Sequence, residues 1–236
     1  MKRLALSALV ALALSSCSGR VESPPAFTPE PGNMLENPSF EEPGRGGAEE
    51  NQAGVGRAWE TVCGGPHPEV YCIDETCAHS GLRSQKMRSD APYNYDISAP
   101  LSGRFCYDVD EDGGAHRHPR VASLGGQAIA QATPRGSVAP GVRYRAGVWV
   151  KAKGLLDDWE WLRLGFCWLD AGGNVLAEVR QEKPARGVLP TAGWHLVTCE
   201  GVAPEGASSA RVYLHHGFVN GTVWFDDAYF VAVAGE

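Results

Sequence analysis

The stretch Tyr144–Lys151 (YRAGVWVK) alternates between two kinds of residue. In an extended chain, one face would carry the mainly apolar set Tyr144, Ala146, Val148 and Val150. The opposite face would carry Arg145, Gly147, Trp149 and Lys151. A period of two is typical of a strand with one face on a core and the other toward solvent. Pro140-Gly141 just before it is a turn signal. The stretch therefore predicts a strand of an antiparallel sheet.

Strand-like runs bounded by turn residues fill the rest of the second half of the chain. They are Trp161–Leu169, Val175–Val179, Trp194–Cys199, Ala210–His215 and Thr222–Val233. Asn220-Gly221 predicts a hairpin between the last two runs. Between Cys63 and Arg120, only the short run Gln85–Arg88 predicts a strand. No segment has a sustained helical period, so the sequence predicts an all-β antiparallel sandwich.

The N-terminus has the pattern of an export signal. Met1-Lys2-Arg3 is basic, the run Leu4–Leu14 is apolar, and Ser15-Ser16-Cys17 follows. The apolar run is too short to span a bilayer of about 30 Å as a helix. The end of the segment resembles the bacterial lipobox, which implies cleavage after residue 16 and lipid on Cys17. The residue after Cys17 is Ser, which favours the outer membrane. An ordinary signal peptide with a coincidental cysteine is the alternative.

Residues 17–32 are rich in proline and polar residues, which predicts a flexible tether. Residues 33–236 are predicted to form one domain, expected to be a monomer. Removing residues 1–16 takes away two of the 21 basic residues and leaves 19 against 28 acidic ones, a net charge of −9. A surface this acidic argues against a nucleic-acid partner, which needs clustered Lys and Arg.

Six cysteines follow Cys17, and an even number in an exported chain indicates disulfides. They are Cys63, Cys72, Cys77, Cys106, Cys167 and Cys199. Six cysteines allow 15 pairings, and the sequence does not choose among them. We predict a Cys167–Cys199 bridge, because both lie in strand-like runs of the second half. The other four would then hold together a disulfide-rich insertion. A zinc site built from the first three of the six with His67 and His79 is the alternative.

Several landmarks then occur in a recognisable order. They include Asn33–Glu41 (NMLENPSFE), His79–Ser84 (HSGLRS), Pro204–Ala207 (PEGA) and Val223–Tyr229 (VWFDDAY). This order resembles the galactose-binding-like jelly rolls, in particular the carbohydrate-binding modules grouped around families 4, 9, 16 and 22. The resemblance spans Asn33 to Val233 and implies a jelly-roll sandwich that binds glycan without catalysis. The chain departs from the pattern in a long insertion between Ser84 and Gln127.

The resemblance also implies a structural calcium ion where the N-terminal segment meets the last strand. Carried over onto this chain, Glu41 and Asp226 would supply carboxylates, and backbone oxygens near Ser84 would complete the shell. Asp227 would point to the opposite face. The alternative is that both carboxylates are solvated or bonded to backbone amides.

A second acidic stretch, Asp108–Gly113 (DVDEDG), has the spacing of a calcium loop. Its twelfth position is Pro119, where an EF-hand needs an acid, so an EF-hand is excluded. A weaker loop site or a solvated acidic loop both remain compatible with the sequence. His116 and His118, just beyond it, would point the same way in an extended chain.

Aromatic residues are the main signal for a ligand. Sugar rings place apolar C–H faces on indole rings, and their hydroxyls need nearby polar groups. Trp149 is predicted to be exposed beside Arg145, where a jelly-roll cleft would lie. Tyr213 and His215 share one face of a later strand and are predicted to join this site. The alternative is that most of these aromatics belong to the core.

Three hypotheses follow from the sequence. The first is a lipid-anchored, non-catalytic module that binds glycan, and an aromatic groove with convergent polar groups would favour it. The second is a structural or protein-interaction lipoprotein of the same fold, favoured by a covered groove and an exposed apolar patch. The third is a hydrolase, favoured by a buried carboxylate pair with perturbed ionisation. No catalytic motif such as GxSxG or HExxH occurs, so an enzyme is not expected.

Overall fold

A computed structural model describes residues 25–44, 54–61, 71–88, 107–109, 115–117, 127–153, 162–181, 193–216 and 222–234. The predictions for the signal peptide, Cys17, Cys63 and Cys106 lie outside the described residues. So do most of the Asp108–Gly113 stretch and the turn at Asn220-Gly221. Among the described residues, no helix is long and apolar enough to cross a membrane.

The described residues form two five-stranded antiparallel sheets and one short hairpin. In the first sheet, the spatial order of the strands is β1-β6-β11-β8-β9, with ranges Glu60–Thr61, Gln127–Ala132, Ser209–His216, Leu162–Leu169 and Val175–Arg180. In the second sheet the order is β10-β7-β12-β3-β2, with ranges His195–Val202, Arg143–Lys153, Thr222–Ala232, Ser84–Arg88 and Tyr71–Asp74. The hairpin pairs β4 (Tyr107–Val109) with β5 (Ala115–Arg117). The expected all-β antiparallel sandwich is confirmed.

The strand β7 has the two faces that its alternation predicts. Its apolar residues are buried in the core between the sheets, and they are Tyr144, Ala146, Val148, Val150 and Ala152. Facing them from β8 are Phe166 and Trp168, and Phe230 comes from β12. The Tyr144 ring stacks on that of Phe230, with centroids 5.3 Å apart. This apolar layer excludes water and provides the main driving force for folding.

The segment that opens the domain packs against the last strand, as the resemblance implies. The Asn33 side chain donates to the carbonyl of Ala228 and accepts from the amide of Phe230. Phe40 is fully buried against Trp59, with ring centroids 5.2 Å apart. These contacts bring Glu41 close to the second sheet.

The predicted hairpin at Asn220-Gly221 is wrong. The strand before it, β11, pairs with β6 and β8 in the first sheet, whereas β12 pairs with β3 and β7 in the second. The connection therefore crosses between sheets. A two-residue turn signal is local, and it carries no information about which sheet each flanking strand joins.

All six predicted strand runs of the second half and the Gln85–Arg88 run are confirmed, with ends that differ by at most three residues. Strands β1, β2, β4, β5 and β6 were not predicted, and β6 (QAIAQA) is the longest of them. Its alternating alanines carry little β propensity of their own. It pairs on both edges, with β1 and β11, so that tertiary context decides its conformation.

The predicted Cys167–Cys199 bridge is wrong, and both residues are thiols in the structure. Cys167 points away from the core, into a cluster on the outer side of the first sheet with Tyr213 and Ala130. Cys199 points into the core from the second sheet, where burial raises the pKa of its thiol to about 12. A bridge would have to pass through the first sheet. Strand membership alone could not give the face on which each cysteine lies.

Candidate functional site

The segment Glu75–Arg83, here called the bridging loop, joins β2 to β3 and crosses the outer face of the second sheet. Two carboxylates hold it there. The Asp226 carboxylate accepts from the backbone amides of His79 at 2.7 Å and Ser80 at 3.3 Å. The Glu41 carboxylate accepts from the amides of Leu82 at 2.8 Å and Arg83 at 3.0 Å. The loop is therefore held from both sides by hydrogen bonds from its backbone amides to carboxyl groups.

Asp226 is completely buried. Desolvation, together with the charge of neighbouring Asp227, raises the pKa of the Asp226 carboxyl to about 8. The amides that it accepts oppose this increase without cancelling it. Two adjacent carboxyl groups at a buried position are costly unless a cation or a proton compensates one of them.

The expectation that Asp227 points to the opposite face is wrong, because β12 has a bulge between Asp226 and Tyr229. Asp227 takes a positive φ of 48° in this bulge, a conformation that Asp tolerates better than most residues. Its carboxylate contacts Nδ1 of His79 at 2.6 Å and accepts from the Ser80 hydroxyl at 2.8 Å. Both carboxyl groups therefore face the bridging loop.

The His79 imidazole lies flat on the indole of Trp149, with centroids 3.9 Å apart and an interplanar angle of 14°. The Trp194 ring meets the imidazole edge-on at 5.7 Å. We call these three residues the aromatic corner. Trp149 lies on the outer face, as predicted, but it is only partly exposed, because His79 covers one side of its ring. Trp194 and His79 are also partly exposed.

Arg145 is exposed and pairs with Glu200 across to β10, with Nε 2.5 Å from Oε1. The pair lines an open depression of about 690 Å³ at the end of the sheet, together with Gly141, Val142, Arg143, Val233 and Ala234. An exposed ion pair contributes little to stability. Nε of Arg145 is engaged with Glu200, so a ligand that used this nitrogen would have to displace that bond.

Tyr213 and His215 do not join Trp149, so this part of the predicted site is wrong. Both lie on β11 in the first sheet and point away from the core, on the side of the molecule opposite to the aromatic corner. Tyr213 is 2% exposed and His215 is fully buried. The sequence showed that the two share a face, but not that their strand belongs to the other sheet.

Tyr213 covers part of the outer side of the first sheet, which we call the first outer face. Its ring lies over Gly165, where an added Cβ would come within 2.1 Å of the hydroxyl oxygen. The hydroxyl donates to Glu178 at 2.6 Å, and Glu178 also pairs with Arg180 at 2.7 Å. Burial, and then the bond to Glu178, raises the pKa of Tyr213 far above its usual range. The side chains of Tyr213, Glu178 and Arg180 thus bond to one another beside the apolar cluster of the same face.

The predicted calcium ligands lie around the bridging loop. Glu41 and Asp226 bind its backbone amides, as the alternative in the sequence analysis had it, and Ser84 donates to the carbonyl of Cys77. Glu41 packs so closely against Gly81 that a Cβ there would lie 2.2 Å from Oε1. Among the described side chains, no group of three or more His, Cys, Asp and Glu could hold a metal by itself.

His79 and Trp194 were not predicted as ligand residues. In the sequence, His79 is an alternative zinc ligand and part of a landmark of the resemblance, and Trp194 begins a strand run. Neither is marked by a local pattern. They meet Trp149 because the bridging loop folds over β7 and because β10 pairs beside it.

No family model matches the chain, and no curated protein matches it. Solved structures resemble it at low identity. The enzymatically active domain of tailspike protein 4 from bacteriophage CBA120 is 14% identical with a TM-score of 0.49, over 85% of this chain and 21% of the tailspike chain. This chain thus spans about a fifth of that protein's length.

Carbohydrate-binding modules of families 22, 61 and 16 are also among these structures. The CBM22-1 xylan-binding domain from Paenibacillus barcinonensis Xyn10C is 11% identical with a TM-score of 0.47, over 91% of this chain and 100% of that one. TmCBM61 in complex with β-1,4-galactotriose is 14% identical with a TM-score of 0.43, over 85% of this chain and 99% of that one. The fold assignment itself rests on the two sheets described above.

Proposed function

We propose that this protein is a non-catalytic lipoprotein of the cell envelope that binds glycan through the outer side of the second sheet, which we call the second outer face. The observation that carries the proposal is the aromatic corner, where partly exposed Trp194 and His79 stand beside charged and polar side chains of the same face. Ring faces and edges of this kind suit the apolar faces of sugars, and the neighbouring charged groups suit hydroxyls. Trp149 supports the imidazole from below.

A hydrolase is the less favoured reading. The Asp226 carboxyl, next to Asp227, has the raised pKa expected of a catalytic acid. However, the Asp226 carboxylate is completely buried and accepts three backbone amides, including that of Asp227 at 2.8 Å. Glycosidases place two carboxyls about 5–10 Å apart across an open cleft. Adjacent residues beneath a loop do not offer that arrangement.

A structural or protein-interaction role is the second candidate function. The observation in its favour is that Tyr213 and His215 are buried, so that these two side chains offer no aromatic platform on the outer side of the first sheet. Leu82, Leu196 and Val202 are exposed, at 69%, 45% and 47%. Polar Thr198 and Glu200 separate the last two along β10, so they do not form one continuous apolar patch.

Glycan binding is tested on the full chain in detergent, by glycan array and by pull-down with insoluble polysaccharides. Trp194→Ala is expected to weaken binding about tenfold, the effect of losing one aromatic contact. Tyr213→Phe is the matched control, since it alters an aromatic residue on the opposite face. Absence of binding to every glycan by a folded protein would refute the proposal and favour the interaction role.

The calcium ion belongs to the same proposal. What supports it is charge: Asp226 is buried beside Asp227, the Asp227 carboxylate contacts the His79 imidazole, and no lysine or arginine of the described residues forms an ion pair with either carboxyl group. A divalent cation would offset that excess. Glu41 and Asp226 would hold it, with backbone oxygens near Ser84, and it would join the N-terminal segment to the last strand. Thermal unfolding with calcium, magnesium or chelator tests this, and equal midpoints in all three would remove calcium from the proposal.

The remaining part of the proposal is that Cys17 carries lipid, and the signal-like N-terminus supports this part. The acyl chains would anchor the protein to a membrane, the outer one favoured, without a spanning helix. Cells fed a clickable fatty acid should label the protein, and Cys17→Ser should abolish both the label and partition into detergent. An unlabelled but exported chain would indicate an ordinary signal peptide.

A further inference from the structure

We infer that the glycan bound by this protein is acidic, and that a strip of cations on the second outer face recognises its carboxylates. The inference rests on the proposed glycan binding and names the substrate class. Four residues make up this cation strip, and they are Lys86, Arg88, Lys151 and Lys153.

The sheet register builds the strip. Trp224 in β12 lies opposite Lys86 of β3 on one side and Lys151 of β7 on the other. One step along, Thr222 lies opposite Arg88 and Lys153. Residues in register across a sheet point to the same side, and the intervening Val223 points into the core. The four cations therefore form two rows on the outer face.

Charge in the strip is only partly compensated. Lys86 pairs with Asp74 at 3.1 Å and lies 5.5 Å from the centre of the Trp224 ring. The Trp224 indole donates to the same carboxylate at 2.8 Å. Burial tends to raise the pKa of Asp74, but bonds from Thr76, Trp224 and Lys86 outweigh it and lower the pKa well below its usual range, so this carboxylate stays ionised.

Lys151 and Lys153 form no ion pair with a carboxylate of the part of the chain that the structure describes. Lys153 is exposed, and Lys151 is partly exposed beside the Cys77 thiol. Toward the middle of the face, Asp226 is buried and bonded to backbone amides of the bridging loop. This concentration of positive charge contrasts with the net charge of −7 of the whole chain.

The position of the strip points to an acidic sugar rather than to another anion. Lys151 follows Trp149 on the same face of β7, and Trp194 precedes His195, which pairs with the intervening Val150. Cations therefore adjoin the aromatic corner. Lys86 and Lys151 lie on strands two apart in the sheet, a separation of about 9.5 Å. Lys151 and Lys153 are two positions apart along β7, a separation of about 6.7 Å. A ring platform with fixed charges at such spacings suits a polymer that repeats both a sugar face and a carboxylate.

The test compares oligogalacturonate with its methyl ester, two ligands that share one sugar chain and differ in charge. Calorimetric titration of the full chain in detergent should show tighter binding of the free acid, and the preference should shrink as salt is added. Lys151→Gln with Lys153→Gln should weaken binding of the free acid about tenfold and leave that of the ester unchanged. Arg135→Gln, an exposed cation outside the strip, is the matched control and should change neither.

Equal binding of acid and ester, unaffected by the lysine changes, would overturn the acidic-glycan inference and leave glycan binding standing. A folded protein that binds neither, nor any neutral polysaccharide, would refute both proposals. Anionic vesicles that displace the oligomer through the same lysines, with no dependence on Trp194, would assign the strip to membrane lipid and overturn the inference.

Discussion

The two outer faces of the sandwich share one device and differ in what surrounds it. On each face a tyrosine lies over a glycine of the neighbouring strand: Tyr213 over Gly165 in the first sheet, and Tyr229 over Gly147 in the second. Tyr213 is buried and bonded to Glu178, whereas Tyr229 is partly exposed.

Around these tyrosines the two faces diverge. The first has Cys167, Ala130 and Leu169 packed against Tyr213 as a small apolar cluster. The second has buried carboxyls, a stacked imidazole and a cation strip. Similar backbone arrangements can therefore be covered by packed apolar side chains, as in the first sheet, or keep polar and charged side chains on the surface, as in the second. The second face is therefore the better candidate for ligand binding.

The largest expected effect is that of Asp226→Ala on the second face. The change removes the acceptor of three backbone amides and leaves them buried without a partner. At about 1–3 kcal/mol for each lost acceptor, the free energy of unfolding should fall by about 4 kcal/mol. Urea unfolding in chelator measures it, with Glu205→Ala, an exposed turn residue, as the control. A loss below about 1 kcal/mol would show that the bridging loop is not held by this carboxylate.

The next effect is the pH dependence that the same residue imposes. The pKa of Asp226 is raised in the folded protein to about 8. Its stabilising contribution is therefore complete below the usual carboxyl pKa of about 4 and is lost as the pH rises toward 8. His79, Asp227 and the Cys77 thiol face or adjoin this group.

Without calcium, the free energy of unfolding should therefore decline across this range by a few kcal/mol. Bound calcium favours the ionised carboxylate and should flatten or reverse the decline. Thermal melts between these pH values, with calcium or chelator, measure it, and Asp226→Asn should remove the dependence. The same slope in Asp226→Asn would assign it to another group.

A direct comparison of the two faces comes from the paired substitutions Gly165→Ala and Gly147→Ala. Each new methyl group would collide with a tyrosine ring, at 2.1 Å and 2.2 Å from its nearest atom. Tyr213 cannot move without breaking its bond to Glu178, so Gly165→Ala should cost about 2 kcal/mol. Tyr229 can swing toward solvent, so Gly147→Ala should cost less than half of that. Equal costs in chemical denaturation would show that the second face is as tightly packed as the first.

The last prediction concerns Tyr213→Phe, whose expected effect is smaller than that of Gly165→Ala. It removes one buried hydrogen bond to Glu178, which keeps its pair with Arg180. The free energy of unfolding should fall by about 1 kcal/mol, with no change in glycan binding. Chemical denaturation and the pull-down measure the two quantities. Weaker glycan binding in a stable variant would move the ligand to the first face and invert the comparison.

The sequence by itself determined the class of fold and the faces of its main strands. Period-two alternation in Tyr144–Lys151 predicted which residues are buried, because side chains of a strand point alternately to the two sides of a sheet. It likewise placed Trp149 and Lys151 on the outer side. The contact of Asn33 with the last strand agreed with the order of landmarks.

Only the tertiary structure decided which strands share a sheet and which residues therefore meet. Tyr213 was predicted beside Trp149 but lies in the other sheet, and Cys167 and Cys199 face different ways. His79 reaches Trp149 from a loop about 70 residues earlier in the chain. Alternation is a local property that a few neighbouring residues encode. Sheet membership, the bulge at Asp227 and the path of the bridging loop result from packing between distant segments, which no short stretch of sequence contains.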